Sequence, residues 1–586
     1  MGGQLRPKIS NHHLSQAANS AHRPGISSSP NGAQHLHGGV GARYPSSYTS
    51  SLGDHSRINY RVFNNPIFDD SKEPEDDDWL HNPDPVKDAK ADHSIGGCSR
   101  RGFLNVSVLL LISVCCICLF AGYPIITHFV TIPASKKGGF GLGGTNGSGQ
   151  VPFLPYIASL VDPDTSRDAR AWKSPYSNDN YHLVFSDEFN VEGRTFWPGD
   201  DPYWTAIDLQ YAATGDYEWY SPEAINTTGG NLVISLEEHE LHNLNFRSGM
   251  LQSWNKFCFQ GGYLEISAVL PGSHNSKSFW PGLWTMGNLG RPGFRGSSQG
   301  MWPYSYNSCD VGILPNQTYL DKSGPDKAIH AQGEFNKGDI SYLEGMRMPS
   351  CTCDGEDHAG PNVKVGRSAP ELDVLEAATY KGQGQASQSL QIAPFSTDYK
   401  SDQTKSALHR KTSFFNPYTG GVYQQSVSGV SNIPDDGYEL TGNAFHTFGF
   451  EYEPDWKGDG SGWVTWYMDG SPTWTVTGAA IGPDSQVEIG QRLIPVEPMS
   501  IIINLAISDG FQQIDWTTMS FPAQLKVDYV RVYQRDGEKE RISCDPPDHP
   551  TSDYIERHLD IYYNENYTIY PQEKYGWPKN KLTASC

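Results

Sequence analysis

Positive charge is scarce in this chain. It carries 44 Lys and Arg against 66 Asp and Glu, a formal net charge of −22. The first 101 residues hold the two signs in equal number, so the whole acidic excess falls on the remainder. Phosphate backbones need a basic face, so a nucleic-acid partner is excluded. Long amphipathic helical runs are missing from the main body, which excludes a helical bundle there. There is no internal repeat, which excludes a solenoid or propeller array. Cys351-Thr-Cys353 has no second pair at zinc spacing, and no oxygen-ligand loop of the calcium type stands out, so neither metal nor cofactor is expected.

What the chain does have is rings and turns. Its 586 residues are too many for one compact domain and include 15 Trp, 31 Tyr, 60 Gly and 40 Pro. Strand-like runs recur between turns from about Tyr181 to Arg535: NLVISLEE (231–238), GYLEISAVL (262–270), FHTFGFEYE (445–453), GWVTWYMDG (462–470), MSIIINLAI (499–507) and LKVDYVRVYQ (525–534). They alternate or are short and apolar, as strands of a two-sheet core are. The expected class is all-β, a β-sandwich or jelly roll.

One segment differs. Residues 103–130 carry no charge and are rich in Leu, Ile, Val, Phe and Cys. About 20 apolar residues span a bilayer as a helix. The run starts after residue 100, so it reads as a signal-anchor and not as a cleavable signal peptide. The sequons at Asn146, Asn226, Asn316 and Asn566 all lie beyond it, as do Cys258, Cys309, Cys351, Cys353, Cys544 and Cys586. Six cysteines in an oxidising compartment imply up to three disulfides, with the pairing left open. These features place residues 1–100 in the cytosol as a disordered, Ser/Gly/His/Asn-rich arm with an acidic run over 69–92, Cys98 being open to palmitoylation. The rest faces the lumen or exterior, as in a single-pass type II membrane protein of the endoplasmic reticulum, Golgi or plasma membrane. Residues 131–175 form a flexible tether, 176–540 the main domain with an insertion over 290–370, and 541–586 a Cys-containing tail without a hydrophobic anchor.

The stretch ELDVLE, Glu371–Glu376, places three acids among aliphatics. On a strand, residues i and i+2 share a face, so Glu371 and Asp373 point together and Glu376 points away. A one-residue bulge restores the register and puts all three on one face, with Leu372 and Leu375 behind and Val374 at the bulge. Two carboxyl groups about 5–5.5 Å apart are what retaining glycoside cleavage needs. A neighbouring negative charge keeps one of them protonated near neutral pH. Trp280, Trp284, Trp302, Tyr304 and Tyr306 are candidate sugar platforms, and Arg247 and His446 candidate polar contacts; core packing or structural pairing is the competing role of each. A solvated edge strand is the competing reading of the motif itself.

With ELDVLE, the stretches LVFSDEFN (183–190), GGYLEISAVLPG (261–272), WPGLWTMG (280–287), FHTFGFEYEP (445–454), VTWYMDG (464–470) and VDYVRVYQ (527–534) resemble glycoside hydrolase family 16 in its β-bulge subgroup. RSGMLQSWNKFCFQGGYLE (247–265), GMWPYSYNSCD (300–310) and PSCTCDGEDH (349–358) narrow the resemblance to fungal β-1,6-glucan synthesis-associated membrane proteins. The resemblance implies a concanavalin-like jelly-roll β-sandwich with a glycan cleft on its concave face. It also implies Glu371 as nucleophile, Asp373 as helper and Glu376 as acid/base. The implied function is a membrane-anchored glycosidase or transglycosylase acting on O-glycosyl bonds of β-glucan in wall biogenesis. β-Glucan, the membrane and secretory-pathway or wall-synthesis proteins are the implied partners. The alternative is a non-catalytic glucan-binding scaffold.

Overall fold

The computed structural model describes residues 84–92, 100–123 and 160–586, in two units. Expectations for residues 1–83, Cys98, the glycine-rich part of the tether and Asn146 lie outside the described residues.

In the smaller unit, a helix covers Pro85–Asp92, within the arm expected to be disordered. The local cause is a cap: Asp84 Oδ1 accepts from the backbone N–H of Val86 (3.0 Å) and Lys87 (3.2 Å), and Pro85 occupies the first turn. A second helix runs Arg100–Ile117 and continues as a π-helical turn over Cys118–Gly122. Its apolar part, Gly102–Gly122, is 21 residues long and reaches a mean hydropathy of 2.7 over 18 residues, long and apolar enough to cross a membrane. At 1.5 Å per residue it reaches about 30 Å, the thickness of a bilayer core. This one helix fits a single-pass membrane protein.

The larger unit is a β-sandwich of the expected all-β, jelly-roll class. Its two large sheets have twelve and nine strands, and a two-stranded ribbon pairs Ala331–Gln332 with Lys337–Gly338. The nine-stranded sheet runs Ser413–Phe415, Gln424–Asn432, Gln383–Ile392, Glu371–Tyr380, Phe279–Gly287, Met499–Ile507, Met250–Gln252 and Thr205–Ala206, with Gly420–Gly421 at one side. Period-2 patterning explains its placement. In Met499–Ile507, Ile501, Ile503, Leu505 and Ile507 enter the inter-sheet core, while Ile502 and Ala506 face the other way. From the twelve-stranded sheet, Leu264, Ile266, Phe448, Phe450, Val464 and Trp466 meet them. Each such side chain contributes about 1.5–3 kcal/mol on burial.

The outer face of the nine-stranded sheet is covered by a second apolar layer. Trp254, Trp280, Trp284, Phe294, Met301 and Trp302 pack there with Tyr554, Ile561 and Tyr562 from the last segment of the chain. Short helices at Ser552–Arg557 and Leu559–Tyr563 carry that segment, which sequence alone reads as a polar tail. The inserted segment has its own core, including Tyr304, Tyr306, Ile313, Ile340 and Met346. Three disulfides fasten these pieces: Cys258–Cys544, Cys309–Cys351 and Cys353–Cys586.

Candidate active site

Glu371–Tyr380 lies in the interior of the nine-stranded sheet, between Phe279–Gly287 and Gln383–Ile392. Against the first neighbour, Leu375 pairs with Leu283 and Asp373 with Trp284, so Val374 is the extra residue. Against the second, Asp373 faces Ser389 and Glu376 faces Ser387, again one residue more on the acidic strand. The bulge drops Leu372, Val374 and Leu375 into the sandwich core. Glu371, Asp373 and Glu376 are left on the opposite face, each no more than 1 % exposed. That burial excludes the solvated-edge reading.

A bulge frees backbone carbonyls from the ladder, and buried ones need other partners. Here side chains supply them. Trp466 Nε1, from the facing sheet, donates to Asp373 O at 2.7 Å. Gln388 Nε2 donates to Val374 O at 3.3 Å, and Thr285 Oγ1 to Leu372 O at 3.0 Å. Trp466→Phe keeps most of the apolar volume but strands the Asp373 carbonyl. It is expected to cost about 1–3 kcal/mol in chemical denaturation. An unchanged midpoint and slope would remove this role for Trp466.

Three expected tryptophans converge on the acids, and two of them donate through their indole N–H. Trp302 Nε1 donates to Glu371 Oε2 at 2.6 Å, and Trp280 Nε1 to Glu376 Oε1 at 3.0 Å. Trp284 Nε1 donates to Asn504 Oδ1 at 2.8 Å. Trp280 also lies flat on Phe511, with ring centroids 4.5 Å apart. Gln391 Nε2 donates to Asp373 Oδ2 at 3.0 Å, and Asp373 shares a hydrogen bond with Glu371. Burial, aided by the Glu376 charge, holds the Asp373 carboxyl well above the usual carboxylate range.

Other candidates lie elsewhere. Tyr304 and Tyr306 are buried in the insertion's own core. Arg247 is spent on Glu237 and Glu223, with Nη contacts of 2.6 Å to each. His446 sits on a strand of the other sheet between Asp436 (3.0 Å) and Asp469 (3.0 Å). Each of these four side chains finds its partners within the fold, away from the acids.

Sequence reasoning missed a second acid group. A small cavity of about 10 Å³ is lined by Glu376, Trp280, Trp284, Tyr211, Asp216, Tyr220 and Asn504, among others. Asp216 accepts from Thr214 Oγ1 (2.5 Å) and Tyr220 Oη (3.1 Å), and Asn504 Nδ2 donates to Tyr220 Oη (3.1 Å). Gly282 lies beneath Asn504: a Cβ there would come within 2.7 Å of its Oδ1. Glu218 lies behind, fully buried, accepting from Ile507 N at 3.1 Å and sharing a hydrogen bond with Asp216. The legible signal was the lone Asn504 in an aliphatic strand, on the face of Ile502 and Ala506.

Burial, then the Asp216 charge, pushes the Glu218 carboxyl well above its ordinary range. The sign follows from linkage. Below about pH 4.3 both folded and unfolded states hold the proton. Above it the unfolded chain ionises first, so this group's contribution to stability is lost as pH rises towards its folded pKa. Glu218→Gln lacks that loss. Its melting temperature relative to the parent is expected to climb between about pH 4.5 and 8. A difference that is flat or falls with pH would contradict the raised pKa.

Residues 67–586 match the family model described as beta-glucan synthesis-associated protein SKN1/KRE6/Sbg1. The chain is 44% identical over 540 residues to the beta-glucan synthesis-associated protein KRE6 of Saccharomyces cerevisiae, covering 89% of this chain and 70% of that one. It is 43% identical over 529 residues to SKN1 of Candida albicans, covering 88% and 67%. Among solved structures, the catalytic domain of an endo-1,3-beta-glucanase (laminarinase) from Thermotoga petrophila aligns with 61% of this chain and all of that one, at 18% identity and a TM-score of 0.35. With most of its length matched, the chain belongs to the SKN1/KRE6/Sbg1 family of beta-glucan synthesis-associated proteins.

Proposed function

We propose that this protein is a membrane-anchored, retaining transglycosylase of β-glucan, serving fungal wall β-1,6-glucan assembly. The observation that carries the reading is the bulge at Val374, with three carboxyl groups gathered on one face beside Trp280, Trp284 and Trp302. Glu371 attacks the anomeric carbon while Glu376 gives its proton to the departing glycosidic oxygen, forming a glycosyl–enzyme ester. Glu376 then takes the proton from an acceptor sugar hydroxyl as that oxygen displaces Glu371. Asp373, in its raised protonation range, is the hydrogen-bonding helper of Glu371. Membership of a beta-glucan synthesis-associated family supports transfer to sugar over hydrolysis.

The orientation proposed is type II. All six cysteines of the larger unit are paired, as an oxidising compartment allows, whereas Cys115, Cys116 and Cys118 in the apolar helix are free. Asn226 and Asn566 are exposed, open to glycosylation there, and Asn316 is half-buried.

A scaffold that holds glucan without turnover is the second reading. It is favoured by the closure of the acids, with Trp302 hydrogen-bonded to Glu371. Incubating the detergent-solubilised full chain with β-glucan oligomers decides between them. Longer products mark transfer, shorter ones alone mark hydrolysis, and unaltered oligomers that remain bound mark the scaffold.

A further inference from the structure

A larger groove opens at the far edge of the nine-stranded sheet, by Thr205–Ala206 and Met250–Gln252. Its volume is about 520 Å³, within the range of small-ligand sites. One side is the turn around Trp197, and the other is the C-terminal segment with Tyr563 and Glu565. Trp254 and Phe294 are also among its walls. Ile207 lines this groove while Tyr211 lines the cavity at Glu376. Between them Gly293 packs so tightly on Ile207 and Leu209 that a Cβ would come within 2.9 Å of Leu209. The two linings have no residue in common, so the groove is distinct from the cavity at Glu376.

Its chemistry is specific. Trp197 and Tyr563 are 41 % and 51 % exposed, unlike the buried rings around the acids. The two cations in the lining are already engaged. Lys256 Nζ donates to the carbonyls of Asp201 (2.6 Å) and Trp204 (2.7 Å), and burial lowers its ammonium to about 8. The Arg291 guanidinium lies over Trp254, Phe294 and Tyr563 and donates to Tyr562 O at 2.6 Å. Asp208 and Glu565 present exposed carboxylates. Gln252 is 1 % exposed, its Oε1 accepts from Arg291 Nε, and among the described residues its Nε2 has no hydrogen-bond partner. A buried donor left over in a groove is a costly feature unless a ligand takes it.

Spent cations and exposed acids disfavour an anionic ligand. Exposed ring faces beside carboxylates and an amide donor suit a neutral polyol with apolar faces. We infer that this groove is a second glycan site, binding a β-linked gluco-oligosaccharide segment apart from the acids of the nine-stranded sheet. The inference does not depend on turnover at Glu371.

The test is a titration of the detergent-solubilised full chain carrying Glu371→Gln, read by tryptophan fluorescence and calorimetry. The probes are β-1,6- and β-1,3-linked gluco-oligosaccharides and, separately, inorganic phosphate. Trp197→Ala and Tyr563→Ala, both at exposed positions, are each expected to weaken oligosaccharide affinity about 3–10-fold, the value of one ring contact. Phosphate is expected neither to bind nor to compete. Affinities unchanged in both variants, or phosphate competition, would overturn the assignment. Loss of turnover in the parent would leave it standing.

Discussion

Glu371→Gln is expected to abolish glucan transfer and hydrolysis together, while leaving the fold and oligosaccharide binding intact. The amide keeps the shape and the acceptor oxygen that meets Trp302 Nε1, but it has no anionic oxygen to form the ester. Glu376→Gln removes the proton donor instead, a loss on the order of 10²–10⁴-fold. Leaving groups that depart without protonation are expected to react better with the second variant than ordinary glucan does, and to gain nothing with the first. In cells, full retention of wall glucan with Glu371→Gln would sink the catalytic reading and leave the scaffold.

Arg367→Met is expected to be the most destabilising single change outside the inter-sheet core, at about 3–5 kcal/mol. Arg367 and Glu497 are completely enclosed, their side chains 0% and 2% exposed. The guanidinium donates Nε to Glu497 Oε1 at 2.9 Å and Nη2 to Oε2 at 2.8 Å. Its Nη1 reaches Gly360 O and Pro550 O, both at 2.7 Å. Glu497 also accepts from Ser368 N at 3.0 Å. One ion pair thus ties the end of the insertion, the approach to Met499–Ile507 and the C-terminal segment together. Without Arg367 a carboxylate stays buried and unpaired. Arg367→Met combined with Glu497→Leu is expected to recover much of the loss, since an apolar pair replaces a buried charge. Denaturant midpoints of the parent, both singles and the double test this. Equal costs for the single and the double would show that packing, not charge, holds the junction.

The acids and the fold class were legible from local pattern. The strands at 231–238, 262–270 and 499–507 announce themselves as alternating or short apolar runs, and Asn231–Leu241, Gly262–Val269 and Met499–Ile507 form there. The spacing of Glu371, Asp373 and Glu376 requires a bulge if they share a face, and Val374 is its extra residue. Both signals depend only on backbone geometry over a few residues.

The partners of Arg247, His446 and Tyr304 were not legible, for the opposite reason. Which partner satisfies a long polar or aromatic side chain is decided by segments far away in sequence. Asp469 and Asp436 hold His446, and Glu237 and Glu223 hold Arg247. Asp216 and Glu218 escaped notice because TGDYEWY reads as a polar turn until Asn504 and Ile507 are brought beside it.

Sequence by itself determined that this chain has an apolar span, a two-sheet body and an acidic strand with a bulge, because periodicity and spacing act locally. Tertiary structure alone decided that the acids are roofed. Insertion and C-terminal segment, joined by Cys353–Cys586 and by Arg367, bury a face that a bare sandwich would leave to water. Disulfide partners, the Trp302–Glu371 contact and the second groove all arise from that long-range packing, which no short window of residues encodes.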